Sequence, residues 1–310
     1  MTANNQTSVT EFMLLGFPGS REIQILYFVV FLIIYMMTIT TNSIIITIVN
    51  IDPHLHSPMY FFLSNFAFLE IWYTTATIPK MLSGFLTGNK AISYRSCIAQ
   101  LCFCFILGSM EYILLTVMAF DRYYAICYPL QYGTIMTGRL CKQLAIGSWT
   151  SGFLNGWTMS IPVSLFSFCR SNQINNFFCD FMPLLKLACS VTFVSKVIFF
   201  SLAWVLVLTS LLLITVSYCY IILTILRIPS ATGRKKAFST CASHLTVVLI
   251  FFGTSIFIYL RPNPMQSFEA DKVVSLIFAA ITPLLNPLIY SLRNKDVLNA
   301  LRRVWGKIYH

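Results

Sequence analysis

The chain has 310 residues and a formal net charge of +11; 57% of its residues are hydrophobic and only 10% are charged. Soluble proteins carry about 25% charged residues, so this composition excludes an ordinary water-soluble domain. The positive charge is divided among short loops, which disfavours nucleic-acid binding and favours contact with membrane lipids and a cytoplasmic partner.

Seven apolar runs follow one another along the chain, and each is long enough for a helix that crosses a bilayer. Backbone groups find no water in lipid, so a spanning segment is a helix or part of a closed barrel. These runs lack the alternation of barrel strands. We therefore expect an all-α membrane protein, a seven-transmembrane helix bundle in one domain. The predicted spans are Ile25–Val49, Met59–Ile78, Ile98–Phe120, Leu144–Phe168, Val197–Leu226, Ala237–Leu260 and Val273–Leu292.

The two ends of the chain differ in character. Residues 1–24 are mostly polar, precede the first span and contain a glycosylation sequon at Asn5, as expected of an extracellular amino-terminal segment. No secretory signal precedes the first span, so we expect none to be cleaved. Residues 25–292 form the bundle, and residues 293–310 form a cytoplasmic tail. Within that tail, Lys295–Ile308 is predicted to be an amphipathic helix on the inner leaflet.

Four cysteines fall on the proposed outer side, where the environment is oxidising: Cys97, Cys169, Cys179 and Cys189. Four cysteines can pair in three ways. A bridge from Cys97 to the loop before the fifth span would fix that loop over the third span and contribute roughly 4 kcal/mol. No set of Cys and His residues has the spacing of a zinc site.

Several distinctive segments occur in order at the ends of the expected spans. They are PMYFFL at Pro58–Leu63, MAFDRYYAICYPL at Met118–Leu130, KAFSTCASHL at Lys236–Leu245 and PLLNPLIYSLRN at Pro283–Asn294, with Ser217-Tyr218 in the fifth span. Together they resemble the olfactory (odorant) receptor family of rhodopsin-like G protein-coupled receptors. The resemblance implies a receptor in the plasma membrane, and not an enzyme, that is activated by volatile odorants and raises cyclic AMP through a stimulatory heterotrimeric G protein. It also implies disulfides Cys97–Cys179 and Cys169–Cys189.

The same segments contain residues that we expect to form a signalling switch. Asp121 is expected to hold Arg122 folded back until the sixth span moves outward. A histidine in lipid is costly and often functional, so His244 is predicted to bond across to span three or seven and latch the inactive state. The full set is Asp121, Arg122, Tyr123, Tyr218, His244, Asn286, Pro287 and Tyr290.

Glu70 and Glu111 lie near the middle of neighbouring spans. The resemblance implies a sodium site in this region. Two close carboxylates favour a shared cation or proton, and interhelical hydrogen bonding is the alternative. No other cofactor or metal is expected.

The outer halves of the spans indicate a pocket for a small, neutral, mostly apolar molecule. We expect no carboxylate near Cys104 to bind an amine, and the seventh span has no lysine for a Schiff base. The predicted ligand-binding residues are Cys104, Phe105, Gly108, Ser109, Tyr112, Asn155, Leu202, Leu206, Phe252, Ser255, Ile256 and Tyr259.

Two other functions stay open at this point: a non-olfactory seven-helix receptor and a small-solute transporter. A transporter favours repeat symmetry and broken helices at the midplane, and neither is evident. A membrane enzyme needs a nucleophile–base pair or a metal set, which the sequence does not offer.

Overall fold

The computed structural model describes residues 9–169, 171–259, 268–292 and 295–308. Long helices dominate these ranges. They are α1 (Arg21–Ile51), α2 (Pro58–Thr87), α3 (Tyr94–Cys127), α5 (Gly138–Ser164), α7 (Phe193–Leu226), α8 (Ala231–Tyr259) and the pair α9 (Phe268–Leu276) and α10 (Thr282–Leu292). Shorter helices are α4 (Pro129–Ile135), α6 (Phe181–Leu187) and α11 (Lys295–Ile308).

Each predicted span falls largely within one of these helical segments. By length and composition, five described stretches suffice to cross a membrane: Arg21–Ile51, Tyr94–Cys127, Phe193–Leu226, Ala231–Ile258 and Ala270–Tyr290. The helices α2 and α5, with 30 and 27 residues, also exceed the length of about 20 that a span requires. The lipid-facing surface is apolar, as Val205 and Leu212 of α7, 65% and 63% exposed, illustrate. The predicted seven-helix architecture is therefore confirmed.

The predicted fourth span was wrong at its end. We expected it to reach Phe168, but α5 ends at Ser164, and Phe168 lies in a short strand. Phe166 and Phe168 are buried beneath the outer loop, which explains why the sequence stays apolar beyond the end of the helix. Phe168 contacts Phe12 there at a ring-centroid distance of 5.1 Å. Hydrophobicity alone does not distinguish a loop core from a membrane span.

The helix α3 lies at the centre of the bundle and packs against α2, α5, α7 and α8. Its contact with α5 depends on two glycines. A Cβ on Gly152 would lie 2.8 Å from the Met110 amide nitrogen, and one on Gly156 would overlap the Ile106 backbone. Because only glycine permits this approach, the two helix backbones meet closely beside the predicted pocket.

The seventh span is not one regular helix. A π-helical turn, Ile277–Ile281, separates α9 from α10, and Thr282 Oγ1 donates to the Ile277 carbonyl across 3.1 Å. Such turns often mark functional positions in helices. Pro287 lies inside α10, where its ring removes one helical hydrogen bond.

Short strands cover the outer end of the bundle. The strands β1 (Glu11–Leu14), β2 (Ala91–Ser93) and β4 (Gln173–Ile174) form a three-stranded sheet in the order β2-β1-β4. The strands β3 (Ser167–Phe168) and β5 (Ala188–Ser190) pair antiparallel. The segment before α1 is therefore bound to the loop that precedes α3 and to the long loop between α5 and α7.

The tail helix α11 has the predicted bounds, Lys295–Ile308, and docks on the first inner loop. Nε and Nη2 of Arg303 donate to Asp52 Oδ2 across 3.0 and 2.7 Å, and Tyr60 donates to Asp296 across 3.3 Å. The Arg303 guanidinium holds the pKa of Asp52 well below its usual value. The Asp52–Arg303 contact is thus fully charged near neutral pH.

Candidate functional site

A cavity of about 60 Å³ lies in the outer half of the bundle, between α2, α3, α5, α7 and the long outer loop. We call it the inner cavity because it is enclosed by the helices. Six predicted ligand-binding residues line it: Cys104, Phe105, Gly108, Ser109, Tyr112 and Leu206. The five on α3 share a wall because residues three and four apart lie on the same face of a helix. A Cβ on Gly108 would meet no atom within 4 Å, so this glycine leaves space in the cavity wall.

Asn155 lies behind this wall and orients one polar group of the cavity. Its Nδ2 donates to Ser109 Oγ across 2.9 Å and also contacts the sulfur of Met159 at 3.4 Å. Asn155 thus determines which way the Ser109 hydroxyl points.

Phe252 and Ser255 lie next to the cavity rather than in its lining. The Tyr112 ring packs edge-on against Phe251 and Phe252 at centroid distances of 4.7 and 5.2 Å. The Tyr112 hydroxyl also lies close to Ser255, whose hydroxyl donates to the Phe251 carbonyl across 2.7 Å. A change at Tyr112 is therefore transmitted directly to α8.

Besides Asn155, Phe252 and Ser255, three further predicted pocket residues are not found in the described lining. Leu202 packs on the neighbouring cluster that contains Phe105 and Phe199. Ile256 is 38% exposed, because one residue beyond the buried Ser255 the helix turns away from the bundle interior; this prediction was wrong. The Tyr259 side chain lies outside the described part of the structure, as does Asn5.

Sequence reasoning missed eight lining residues, most of them aromatic or aliphatic. They were missed because an apolar residue in a span can face lipid, another helix or a cavity with the same local pattern. They are Tyr73, Met159, Phe178, Asp180, Phe199, Ala203, Val207 and Phe278.

The expectation that no carboxylate lies near Cys104 was wrong. Asp180 lines the same cavity, is 4% exposed and interacts electrostatically with the Cys104 thiol. It belongs to the outer loop and not to a span, so a search of the spans alone could not find it.

The outer loop that carries Asp180 is fixed in place. The structure contains the disulfides Cys97–Cys179 and Cys169–Cys189, the pairs that the family resemblance implied. Beside the first disulfide, Gln100 Oε1 accepts from the Cys179 amide across 2.9 Å. The Gln100 side-chain nitrogen, Nε2, donates to the Ala76 carbonyl across 2.8 Å. Gln100 therefore joins α2, α3 and the loop.

Below the cavity, a buried polar cluster occupies the middle of the bundle. Glu70 and Glu111 are 1% and 3% exposed and interact electrostatically. Asn286 Nδ2 donates to Glu70 Oε1. Among the described residues, no hydrogen-bond partner reaches Glu70 Oε2, Asn286 Oδ1 or the Tyr290 hydroxyl. Buried polar atoms are costly without partners, so these three oxygens indicate a place for a ligand.

His244 connects three helices in the inner half. Its Nε2 lies 3.2 Å from the Leu115 carbonyl oxygen of α3, and its Nδ1 lies 2.7 Å from the Tyr218 hydroxyl of α7. A carbonyl oxygen only accepts, so Nε2 carries the proton, and Nδ1 of the neutral ring accepts from Tyr218. The predicted bond to span three is present; within the described residues, the second bond goes to span five and not to span seven.

Asp121 has a different main partner from the one expected. Tyr132 of α4 donates to Asp121 Oδ1 across 2.7 Å, and among the described contacts no ion pair within 4.0 Å joins Asp121 to Arg122. Burial, and then the charge of Asp121, raise the pKa of Tyr132, so its hydroxyl stays a donor. Arg122 is 7% exposed, and its charge acts on His244. Tyr123 contacts Tyr128 and Tyr220.

Comparison with known proteins agrees with this arrangement. A family model described as olfactory receptor matches residues 31–307. The chain is 49% identical over 308 residues to olfactory receptor 6F1 of Homo sapiens, covering 98% of this chain and 99% of that protein. It is 50% identical over 305 residues to olfactory receptor 226 of Rattus norvegicus, covering 97% and 93%.

The fold also matches a solved structure, the crystal structure of squid rhodopsin. The TM-score is 0.74 at 15% sequence identity, over 95% of this chain and 84% of that one. At this identity the match establishes only the fold. The family match, by contrast, extends over nearly the whole sequence: this chain belongs to the olfactory receptor family, whose members are multi-pass membrane receptors and not enzymes.

Proposed function

We propose that this receptor binds small, mostly apolar volatile molecules in the inner cavity and, when occupied, activates a stimulatory heterotrimeric G protein that raises cyclic AMP. One observation carries the proposal. Tyr112 both lines the cavity and packs on Phe251 and Phe252 of α8, the same helix that His244 connects to α3. The inner cavity and the His244 hydrogen bonds therefore both involve the same helix, α8.

Activation requires that the ligand bind the open state more tightly than the closed one. A ligand that displaces the Tyr112 ring shifts its contacts with α8. The two His244 bonds oppose outward movement of that helix. When they break, Arg122 is uncovered at the inner end of α3 and becomes available to the G protein. A coupling of about 1–3 kcal/mol produces a graded response.

The apolar lining sets the expected affinity. Each buried methylene contributes about 0.8 kcal/mol, and a ligand of about ten heavy atoms reaches about 1 μM binding. The small cavity volume of about 60 Å³ favours compact ligands, or ligands that move aromatic side chains as they bind.

The amino terminus is proposed to be extracellular, with glycosylation at Asn5. The disulfides support this orientation, because structural disulfides form in oxidising compartments, and both lie at the end of the bundle where β1 is bound by β2 and β4. In this proposed orientation, α11 and the Arg303 contact face the cytoplasm.

We also propose that Glu70 and Glu111 share a sodium ion or a proton. Hard cations take oxygen ligands, and the buried cluster supplies carboxylate, amide and hydroxyl oxygens without hydrogen-bond partners among the described residues. The residues therefore fit such an ion. Thermal stability of the purified receptor should rise in sodium chloride relative to choline chloride, and Glu70→Gln and Glu111→Gln should abolish the difference. An equal response to both salts in the parent protein would exclude sodium.

The test of the main proposal is a cyclic AMP assay in transfected cells exposed to a panel of volatile compounds. Gly108→Leu should remove the response by filling the cavity, and Arg122→Ala should remove it by preventing coupling. Gly147→Leu is the matched control, because a Cβ on Gly147 meets nothing within 4 Å and the residue is exposed. A response that survives Gly108→Leu at equal surface expression contradicts the assigned cavity. Solute flux without G protein would favour a transporter.

A further inference from the structure

An open groove, the α2–α3 groove, lies at the end of the bundle that carries the Cys97–Cys179 disulfide and has a volume of about 540 Å³. Its walls are the outer ends of α2 and α3, and β2 lies across its top. It is much larger than the inner cavity and shares none of that cavity's described lining residues. The α2–α3 groove is therefore separate from the proposed odorant site.

The two walls of the groove are held at a fixed distance. Ser96, Ala99 and Phe103 line it from α3, and their spacing of three and four residues places them on one face of that helix. Gln100 lies between them, is 8% exposed and donates to the Ala76 carbonyl of α2 across 2.8 Å. Because this bond joins the walls, the groove is a preformed feature of the bundle.

The lining changes from polar to apolar along the groove. Lys80 and Ser96 lie just outside the predicted spans, which end at Ile78 and begin again at Ile98. Ala99 and Phe103 lie inside the third span, and Phe103 is 50% exposed although it is aromatic. A phospholipid has the same order of polarity, with its phosphate at the surface of the bilayer and its acyl chains below.

Lys80 supplies the positive charge of the polar end. Its side chain is partly buried, and among the described residues no hydrogen bond or ion pair involves its ammonium group. In the same groove, the Ser96 hydroxyl accepts from Ser93 across 2.8 Å, so its own proton can be donated to a ligand. An ammonium group and a hydroxyl donor complement a phosphate.

The competing occupant is a second copy of this chain, because small residues such as Ala76 and Ala99 also permit close packing of membrane helices. In a pair with twofold symmetry, however, both molecules contribute the same surface to the interface. Two Lys80 charges would then meet where little water screens them, which is unfavourable. The charge of the groove therefore favours an anionic group over a second copy.

We propose that the α2–α3 groove binds one phospholipid of the surrounding bilayer, with Lys80 and Ser96 at its phosphate and an acyl chain along Ala99 and Phe103. The site goes beyond the proposed odorant function and does not depend on it. A lipid in this position contacts both α2 and α3.

The experiment is native mass spectrometry of the delipidated full-length receptor in detergent, which gives the dissociation constant of the first bound molecule. The probes are dioleoylphosphatidylcholine, dioleoylglycerol, which has the same chains without the phosphate, and glycerophosphocholine, which has the same headgroup without the chains. We expect the phospholipid to bind about tenfold more tightly than dioleoylglycerol, because only the phospholipid offers Lys80 an anionic acceptor. Glycerophosphocholine should not bind, because it has no chain to bury.

Substitutions assign the binding to this groove. Lys80→Gln should remove the tenfold preference for the phospholipid, and Lys80→Arg, which keeps the charge, should retain it. Lys196→Gln is the matched control, because Lys196 is an exposed lysine at the outer end of α7 that does not line the described groove. Ala99→Phe should weaken phospholipid binding by filling the apolar end, and the melting temperature without lipid should change little because Ala99 is exposed.

Four outcomes would overturn the inference. The phosphate has no role if the parent protein binds both dioleoyl compounds equally, or if Lys80→Gln keeps the preference. The site is one for a small phosphate ester if glycerophosphocholine binds as tightly as the phospholipid. The groove is an interface between copies of this chain if the receptor forms dimers in place of lipid-bound monomers and Ala99→Phe abolishes those dimers.

Discussion

Nε2 of His244 donates to the carbonyl oxygen of Leu115 across 3.2 Å, and this bond joins the inner half of α8 to α3. The imidazole is fully buried, and its ring stacks almost parallel to that of Tyr218. A buried polar side chain with two such bonds fixes the distance between α3, α7 and α8. The closed state of the inner bundle therefore depends on this contact.

Loss of the His244 contact should raise basal signalling. A buried hydrogen bond contributes about 1 kcal/mol, so His244→Ala should increase ligand-independent cyclic AMP several-fold, and Tyr218→Phe should have a smaller effect because it removes one of the two bonds. Ser217→Ala is the control, since this hydroxyl donates to Leu213 within its own helix. Unchanged basal activity at matched surface expression would show that His244 is a packing group.

Removal of the Tyr132 hydroxyl should weaken coupling. Without the bond from Tyr132, the buried Asp121 carboxylate attracts the neighbouring Arg122 more strongly, which opposes release of Arg122 to the G protein. Tyr132→Phe should lower the maximal nucleotide-exchange rate at saturating ligand, while ligand affinity stays close to that of the parent. Tyr128→Phe, at an exposed tyrosine of the same loop, provides the comparison. Equal maximal rates for Tyr132→Phe and the parent would refute this role.

A methyl group at Gly156 should destabilise the bundle. Gly156→Ala forces α5 away from the Ile106 backbone, and overpacking of this kind costs about 1–3 kcal/mol. The expected result is reduced surface expression and a lower melting temperature in detergent. Gly147→Ala, on the same helix with open space around its Cβ, should leave both unchanged. Normal stability of Gly156→Ala would mean that α3 and α5 can separate freely.

The Asp52–Arg303 contact should hold the tail helix at all physiological pH values. The pKa of Asp52 is lowered by Arg303, so the stabilisation is complete above the ordinary pKa of an aspartate and is lost only as the pH falls through the lowered value. The protection of the α11 amides from hydrogen exchange, corrected for the intrinsic pH dependence of amide exchange, should therefore be the same at pH 5 and pH 8. Arg303→Ala should accelerate exchange, whereas Arg302→Ala, at an exposed neighbour, should not. A strong pH dependence in the parent would contradict this assignment.

The amino-acid sequence by itself determined the seven-helix architecture, the bounds of α11 and the α3 face that lines the cavity. These features follow from local patterns, because lipid requires about 20 apolar residues in each span and helical spacing places Cys104, Gly108 and Ser109 on one side. Membership of the olfactory receptor family also follows from the sequence alone, because the family match is a match of sequences.

Only the tertiary structure decided which distant residues meet. Asp180 reaches Cys104 from a loop, His244 bonds to Leu115 and Tyr218, and the fourth span ends before Phe168 although the sequence remains apolar. Local periodicity states which side of a helix is apolar, but not whether that side faces lipid, a loop or a cavity. That choice depends on how the helices pack, and packing is set by contacts between residues far apart in the chain.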